Sequence, residues 1–264
     1  MADRYTSRIA AVLDRPLDDV QALVTTAGHA GDVDRAAPVR GDGASAMEVH
    51  WGGRMQRAVV RAAEDEAGRP VLRVEAYVGD QGPREGIKRQ TALLQGLLRH
   101  LEGPAPTAVR DVDAMVDHDV AWLHRTAVAG LDLQGAVDFK VDGEGVRWVH
   151  SHGAARFDVP DLELYGLSAG QVEPGIAALR HVHEQLLHAG LKAELTLPGG
   201  ESVYLVPVLE AWQHVNLDWP GVGRQGQERG PGLDGPRATL SILHRPRFGR
   251  FRTDLEGVLE ALRP

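Results

Sequence analysis

Apolar positions along the chain follow two rhythms, one of period two and one of period 3.6. The stretches "AMEVHW", "QRAVVRAA" and "PVLRVEAYV", between residues 46 and 78, read as strands, and the last sets Leu72, Val74, Ala76 and Val78 on one side. Gly52 and Gly53 fit a hairpin turn between the first two. A helix is predicted from Pro83 to Leu101, with Ile87, Leu94, Leu97, Leu98 and Leu101 on one face and Gly103 past its end. A second helix is predicted from Asp113 to Val128, closed by Gly130. Ahead of all this, residues 1–28 read as a helical cap of two short helices. Ile9, Val12 and Leu13 form one stripe, and Val20, Leu23 and Val24 another, with Pro16 at a first helical position.

The second half repeats the plan. "LQGAVDFKV", "GVRWVHSH" and "DLELYGL" read as strands, with "DGEG" as the first turn. A helix from Ala169 to Ala189 follows, turning Ile176, Leu179, Leu186 and Leu187 inward. Ser168 and Gln171 stand at capping-box spacing, and Gly190 stops it. "LKAELTL" and "SVYLVPVL" make a hairpin across "PGGE", "WQHVNLDW" reads as a further strand, "ATLSILH" as the last, and "DLEGVLEALRP" as a closing helix. Residues 219–236 hold six Gly and three Pro and read as a loop. The fold class expected is α+β, with mostly antiparallel sheets, helices packed on one face and two similar strand-strand-strand-helix halves. The halves divide at 1–130 and 131–264.

Composition narrows the chemistry. The 264 residues include no cysteine, so disulfides, thiolate metal sites and cysteine nucleophiles are excluded. A formal charge of −8 argues against a global attraction to nucleic acid or to an anionic membrane. No run approaches the roughly 18 apolar residues of a membrane span. The first residues show no continuous apolar segment of a signal peptide, so a cytoplasmic location is expected. Abundant Ala, Gly, Arg, Val and Leu with little Lys point to a bacterium with GC-rich DNA.

The candidate chemistry centres on "WVHSHG", residues 148–153. On a strand, Trp148, His150 and His152 share one face, and Val149 and Ser151 the other. Two imidazoles at i and i+2 can reach one cation, and Asp161 and Glu163, on one face of the next strand, can complete the set. A divalent metal such as zinc, held by His150, His152, Asp161 and Glu163 with an open position, would activate water. The same groups can instead hydrogen-bond one another and serve the fold. On the following helix, "RHVHEQLLH" sets His181 and His188 on one face and His183 beside the apolar stripe; His with Glu184 would support a site if that helix packs under the His150 strand, and a solvated helix face is the other reading. The His-x-His spacing is similar to that of the JAMM metalloproteases, but Pro160 and Glu163 stand where their motif has Ser and Asp.

The longer stretch "WVHSHGAARFDVPDLELYGL" resembles the signature of a bacterial family of unknown function. Its members carry Trp, an aliphatic residue, His-Thr-His-Gly, an Arg, and a Glu-Leu-Glu-like segment. Trp148, Val149, His150, Ser151, His152, Gly153, Arg156, Asp161, Leu162 and Glu163 match these positions, with Ser151 for Thr and Asp161 for Glu. Over about residues 90–166, the resemblance implies a bacterial cytoplasmic protein and supplies no reaction.

Two further segments carry weaker signals. "GVGRQG", Gly221 to Gly226, spells a dinucleotide fingerprint but lacks the preceding strand and following helix, so no cofactor is expected. "HRPRFGRFR" interleaves Arg245, Arg247, Arg250 and Arg252 with two Phe, a pattern suited to phosphate or to bases. "IAAVLDRPLDDVQALV" lacks the basic residues of a recognition helix. Three function classes therefore stay open: a non-enzymatic interaction or accessory protein with an unassigned protein partner, a metal-dependent hydrolase, and an anion- or nucleic-acid-binding protein.

Overall fold

The computed structural model describes residues 6–40, 45–52, 56–77, 82–131, 135–190, 194–223, 233, 236–244 and 252–262. The chain divides into two compact units, Met1–Asp132 and Leu133–Pro264. Each is α+β, with a mostly antiparallel sheet and helices packed against it.

The N-terminal unit opens with β1 (Thr6–Leu13) and α1 (Val20–His29). Four strands follow: β2 (Arg35–Pro38), β3 (Ala46–Trp51), β4 (Gln56–Glu64) and β5 (Pro70–Tyr77). Then come α2 (Pro83–Arg99), β6 (Pro106–Asp111), β7 (Val116–His118) and α3 (Val120–Ala129). The sheet order is β2-β3-β4-β5-β1-β6-β7. The expected helical cap is thus corrected in its first half. Residues 6–13 form a strand paired on both sides, with Ile9 opposite Val74 and Asp111. The run Ile9–Leu13 is buried throughout. Ala10 and Val12 join Val71 in a small cluster, and the alternate residues point to the opposite face. A strand buried on both faces is continuously apolar, and a continuous run also contains a helical stripe.

The α1 helix forms as expected from Val20, because the Asp19 carboxylate accepts from the Ala22 N–H at 2.8 Å and caps it. The α2 helix starts at Pro83 after Gly82, whose φ of 81° suits a residue without Cβ. Its buried Gln90 ties helix to sheet by donating to the Ser7 and Val74 carbonyls at 2.7 and 2.8 Å. The helix expected over 113–128 starts later. Val116–Asp117–His118 pairs with Val109–Arg110–Asp111 as a strand, and Asp119 caps α3 through Trp122 N–H at 2.7 Å. The β6 strand itself carried no expectation.

The C-terminal unit begins with the hairpin β8 (Asp138–Asp142) and β9 (Arg147–His152), then β10 (Asp161–Leu167) and α4 (Val172–Ala189). It continues through β11 (Leu195–Thr196), β12 (Ser202–Pro207), the single-turn α5 (Val208–Ala211), β13 (Arg237–His244), β14 (Arg252–Asp254) and α6 (Leu255–Ala261). The sheet order is β11-β12-β13-β10-β9-β8, with β14 on β13. Both units contain three strands followed by a helix. Their sheets differ at the next neighbour: β5 lies against antiparallel β1, whereas β10 lies against parallel β13. Leu162, Leu164, Leu167, Ala178, Leu179, Val182 and Leu186 form the core between sheet and α4, joined by Val258 of α6. The capping box of Ser168 and Gln171 forms as its spacing predicts.

The strand expected at "WQHVNLDW" does not form. After α5 the chain bonds to itself: Trp212 N–H to Val208, His214 N–H to Ala211, and Trp219 N–H to Asn216. Backbone donors committed locally are not offered to a sheet ladder. Among the described residues, no helix is long and apolar enough to cross a membrane.

Candidate functional site

The β9 strand divides its side chains as the alternation predicts, and the outer face holds Trp148, His150 and His152. The Trp148 and His150 rings stack at 3.8 Å between centroids, and His150 meets His152 edge-on at 4.8 Å. His152 Nε2 lies 2.9 Å from His150 Nδ1, and His150 Nε2 lies 2.9 Å from Asp142 Oδ2. A carboxylate only accepts, so His150 carries its proton on Nε2 and donates it to Asp142. Its Nδ1 then accepts from His152 Nε2–H. Burial holds the His150 pKa below the ordinary histidine value, against the pull of Asp142, so the ring stays neutral. The two imidazoles form a line toward Asp142, whose side chain is 61% exposed, instead of converging on one point.

Glu163 lies opposite His150 in the β9–β10 register. It is wholly buried and accepts from three donors. Trp148 Nε1–H reaches it at 3.2 Å, the Tyr165 hydroxyl donates to the same oxygen, and Arg237 Nε donates to the other. Arg237 comes from β13 and also donates to the Ser151 carbonyl at 2.7 Å. Tyr165 in turn accepts from Trp212 Nε1–H at 3.2 Å. The carboxylate expected to face a metal therefore neutralises a buried guanidinium.

On the other side of β9, Ser151 turns toward α4. Its Oγ accepts from the Leu162 N–H at 2.7 Å and lies 2.9 Å from His183 Nε2 and 3.3 Å from Asp161 Oδ1. It is fully buried, with no access for a substrate. Asp161 also accepts from the Ala154 N–H at 3.0 Å. Burial pushes its pKa up to about 6, while Arg237 and these hydrogen bonds oppose the rise. Burial pushes His183 down to about 3, with Arg237 adding to the shift. Gly153 turns the chain at φ 102°, and Arg156 donates to the Ala136 carbonyl at 2.8 Å.

The segment 212–223 roofs the outer face. Gly221 lies so close to the Trp148 ring, and Gly166 so close to the Trp219 ring, that a Cβ at either would overlap the indole. Trp212 covers Gly223 in the same way, and Pro220 covers Gly143. The first five residues of the expected 219–236 loop are thus packed in place. Residues 224–232, 234 and 235, including the end of "GVGRQG", lie outside the described residues.

Of the four proposed metal ligands, the structure brings His150 and His152 into mutual hydrogen bonding and sends Glu163 to Arg237 and Asp161 to Ser151. Among the described residues, no three His, Asp or Glu side chains form a group that could hold a metal ion. Arg245, Arg247 and Arg250 lie outside the described residues. Arg252 belongs to β14, and its side chain lies outside them too. Sequence reasoning passed over Asp142, Tyr165, Trp212 and Arg237. Tyr165 had a local signal, since it is two residues from Glu163 on the same strand face. Arg237 had none, because parallel pairing joins it to β10 from 74 residues away.

A cavity of about 380 Å³ lies in the N-terminal unit, between the β1–α1 connection and the end of α2. Among its lining residues, His100 bonds Asp32 at 2.8 Å, Asp19 caps α1, and the Arg15 guanidinium packs on Gly103. Compared with protein-family models, curated proteins and solved structures, the chain matches none.

Proposed function

We propose that this protein is a non-enzymatic interaction or accessory protein, in which the His-Ser-His-Gly segment locks the C-terminal unit together. One observation carries this reading. Trp148, His150, Ser151, His152, Asp161 and Glu163 are all buried and bonded to one another or to neighbouring elements. A reaction centre keeps at least one polar group open toward substrate. Here the roof of residues 212–223 stands where substrate would enter. Packing, a turn and charge balance are roles that these signature residues fill, which supports the reading.

The metal-hydrolase reading rests on the same residues. A divalent cation such as zinc would have to displace Asp142 from His150 Nε2 or break the His150–His152 bond. Elemental analysis of untagged protein separates the two. The lock reading expects no stoichiometric metal, and a drop in melting temperature of about 5 °C or more in the His150→Ala, His152→Ala double variant. One bound equivalent of zinc, lost in that variant, would replace the lock with a metal centre.

A further inference from the structure

The cavity of about 380 Å³ in the N-terminal unit forms where two connections are stitched together. Asp14 N–H donates to the Ala105 carbonyl at 3.0 Å, and Ala105 N–H donates back to Asp14 Oδ1 at 2.9 Å. The chain between β1 and α1 is thereby held beside the chain between α2 and β6. Leu17, Leu23 and Leu101 give the cavity apolar surface, with Pro16, Pro104 and Ala22 beside them. Three of its polar residues are engaged within the chain. Asp19 caps α1, Thr26 donates to the Ala22 carbonyl at 3.0 Å, and His100 Nε2 meets Asp32 at 2.8 Å. Three others are not. Arg15, Asp18 and Glu102 line the same cavity, yet among the described residues none of their side chains has an ion-pair or hydrogen-bond partner. Elsewhere in the unit, Arg8, Arg57, Arg69, Arg73, Arg99 and Arg110 each pair with a carboxylate. The Arg15 guanidinium instead lies against Gly103, where a Cβ would stand 2.8 Å from Nη2. Gly103 also has a φ of 97°, which favours glycine. The backbone thus gives the cation a seat apart from both carboxylates.

We infer that this cavity binds a free α-amino acid with an aliphatic side chain. A zwitterion carries the two charges that the cavity leaves unpaired. Its carboxylate matches the planar fork of Arg15, which can take such a group bidentately. Its ammonium has three donors and no acceptor, so it suits Asp18 and Glu102 together. The leucines meet the side chain through dispersion contact and the exclusion of water. A simple anion would gain from Arg15 but meet two carboxylates. A simple cation would gain from the carboxylates but meet the guanidinium. The volume lies at the lower end of small-molecule clefts, which run from about 300 to about 1,000 Å³, as suits a ligand of this size. The inference goes beyond the lock reading and concerns the other unit, so it holds whether the His150 network is a lock or a metal centre.

The test is calorimetric titration of the full chain with three probes. These are leucine, isocaproate, which lacks its amine, and isopentylamine, which lacks its carboxylate. Leucine is expected to bind saturably, and each truncated probe at least tenfold more weakly, because each loses one set of charge-assisted hydrogen bonds. On titration with leucine, the amide resonances of Gly103 and Ala22 are expected to shift, while those of β9 and β10 stay in place. Arg15 is exposed, so replacing it tests binding without endangering the fold. Arg15→Gln is expected to weaken leucine at least tenfold and to erase its advantage over isopentylamine. Asp18→Asn combined with Glu102→Gln is expected to erase its advantage over isocaproate. The inference is overturned if leucine shows no saturable binding up to its solubility, if either truncated probe binds as tightly as leucine, or if Arg15→Gln binds leucine as the parent does.

Discussion

At the residue scale, the decisive group is Glu163, a fully buried carboxylate whose charge is matched by a guanidinium only 1% exposed. Removing one member of such a pair leaves the other charge buried alone, which typically costs about 3–5 kcal/mol. Glu163→Gln is therefore expected to lower the urea unfolding free energy by about that amount. Adding Arg237→Met should recover part of the loss, because no buried charge then remains. If Glu163→Gln costs under about 1 kcal/mol, the reading of this network as a lock of the C-terminal unit fails. Acid behaviour turns on two neighbours with opposite shifts. Asp161 has its pKa raised to about 6 in the fold, so it favours the folded state at low pH, and that advantage fades as pH rises toward 6. His183 is lowered from 6.5 to about 3, so its contribution is present above 6.5 and is lost as pH falls. Between about pH 6 and 4 the two slopes oppose each other. Asp161→Asn removes one of them, leaving His183 and His150. Stability of that variant should fall by about 1 kcal/mol more per pH unit of acidification than the parent's, in denaturant melts taken across this window.

At the element scale, the roof is held by glycines lying flat against indoles. Gly221→Ala places a methyl group into the Trp148 ring and puts a side chain at a φ of 78°, so either the roof or Trp148 must move. The expected result is a loss of about 2 kcal/mol or more, a changed tryptophan emission, and faster proteolysis confined to residues 208–223. Emission and cleavage unchanged from the parent would show that the segment is not seated as described. Legibility also divides at this scale. The α2 and α4 helices were readable because Ile87, Leu94 and Leu97, and Leu179 and Leu186, recur at helical spacing and face one core. The faces of β9 were readable because alternation is a local property. The β1 strand was not, because burial on both faces erased its alternation. Nor was the roof: Trp212 and Trp219 find partners through Gly166 and Tyr165, and no period in "WQHVNLDW" encodes that. The His150–His152 juxtaposition was legible at two-residue range. Its partners Asp142 and Arg237 depended on strand pairing that one chain segment does not reveal.

At the scale of the whole molecule, the two compact units hold different kinds of interior. The core of the N-terminal unit is apolar, with Ile9, Leu72, Val74, Ile87 and Leu94 all essentially inaccessible, and Gln90 reaching from α2 to the sheet. The C-terminal unit places an apolar layer under α4 and a polar network on the opposite sheet face. A defect in the network therefore acts first on the strands that compose it. Native-state hydrogen exchange can read this directly, because amides report the free energy of their own opening. In Glu163→Gln, amides of β8, β9, β10 and β13 should lose protection by the full destabilisation, about a hundredfold for each 2.7 kcal/mol. Amides of β1 and β5 should keep theirs, since their bonds to one another and to β6, and their contacts with α2, all lie within the N-terminal unit. Equal loss in both sets would mean that the chain unfolds as one cooperative block, and the network would then secure the whole molecule instead of one unit.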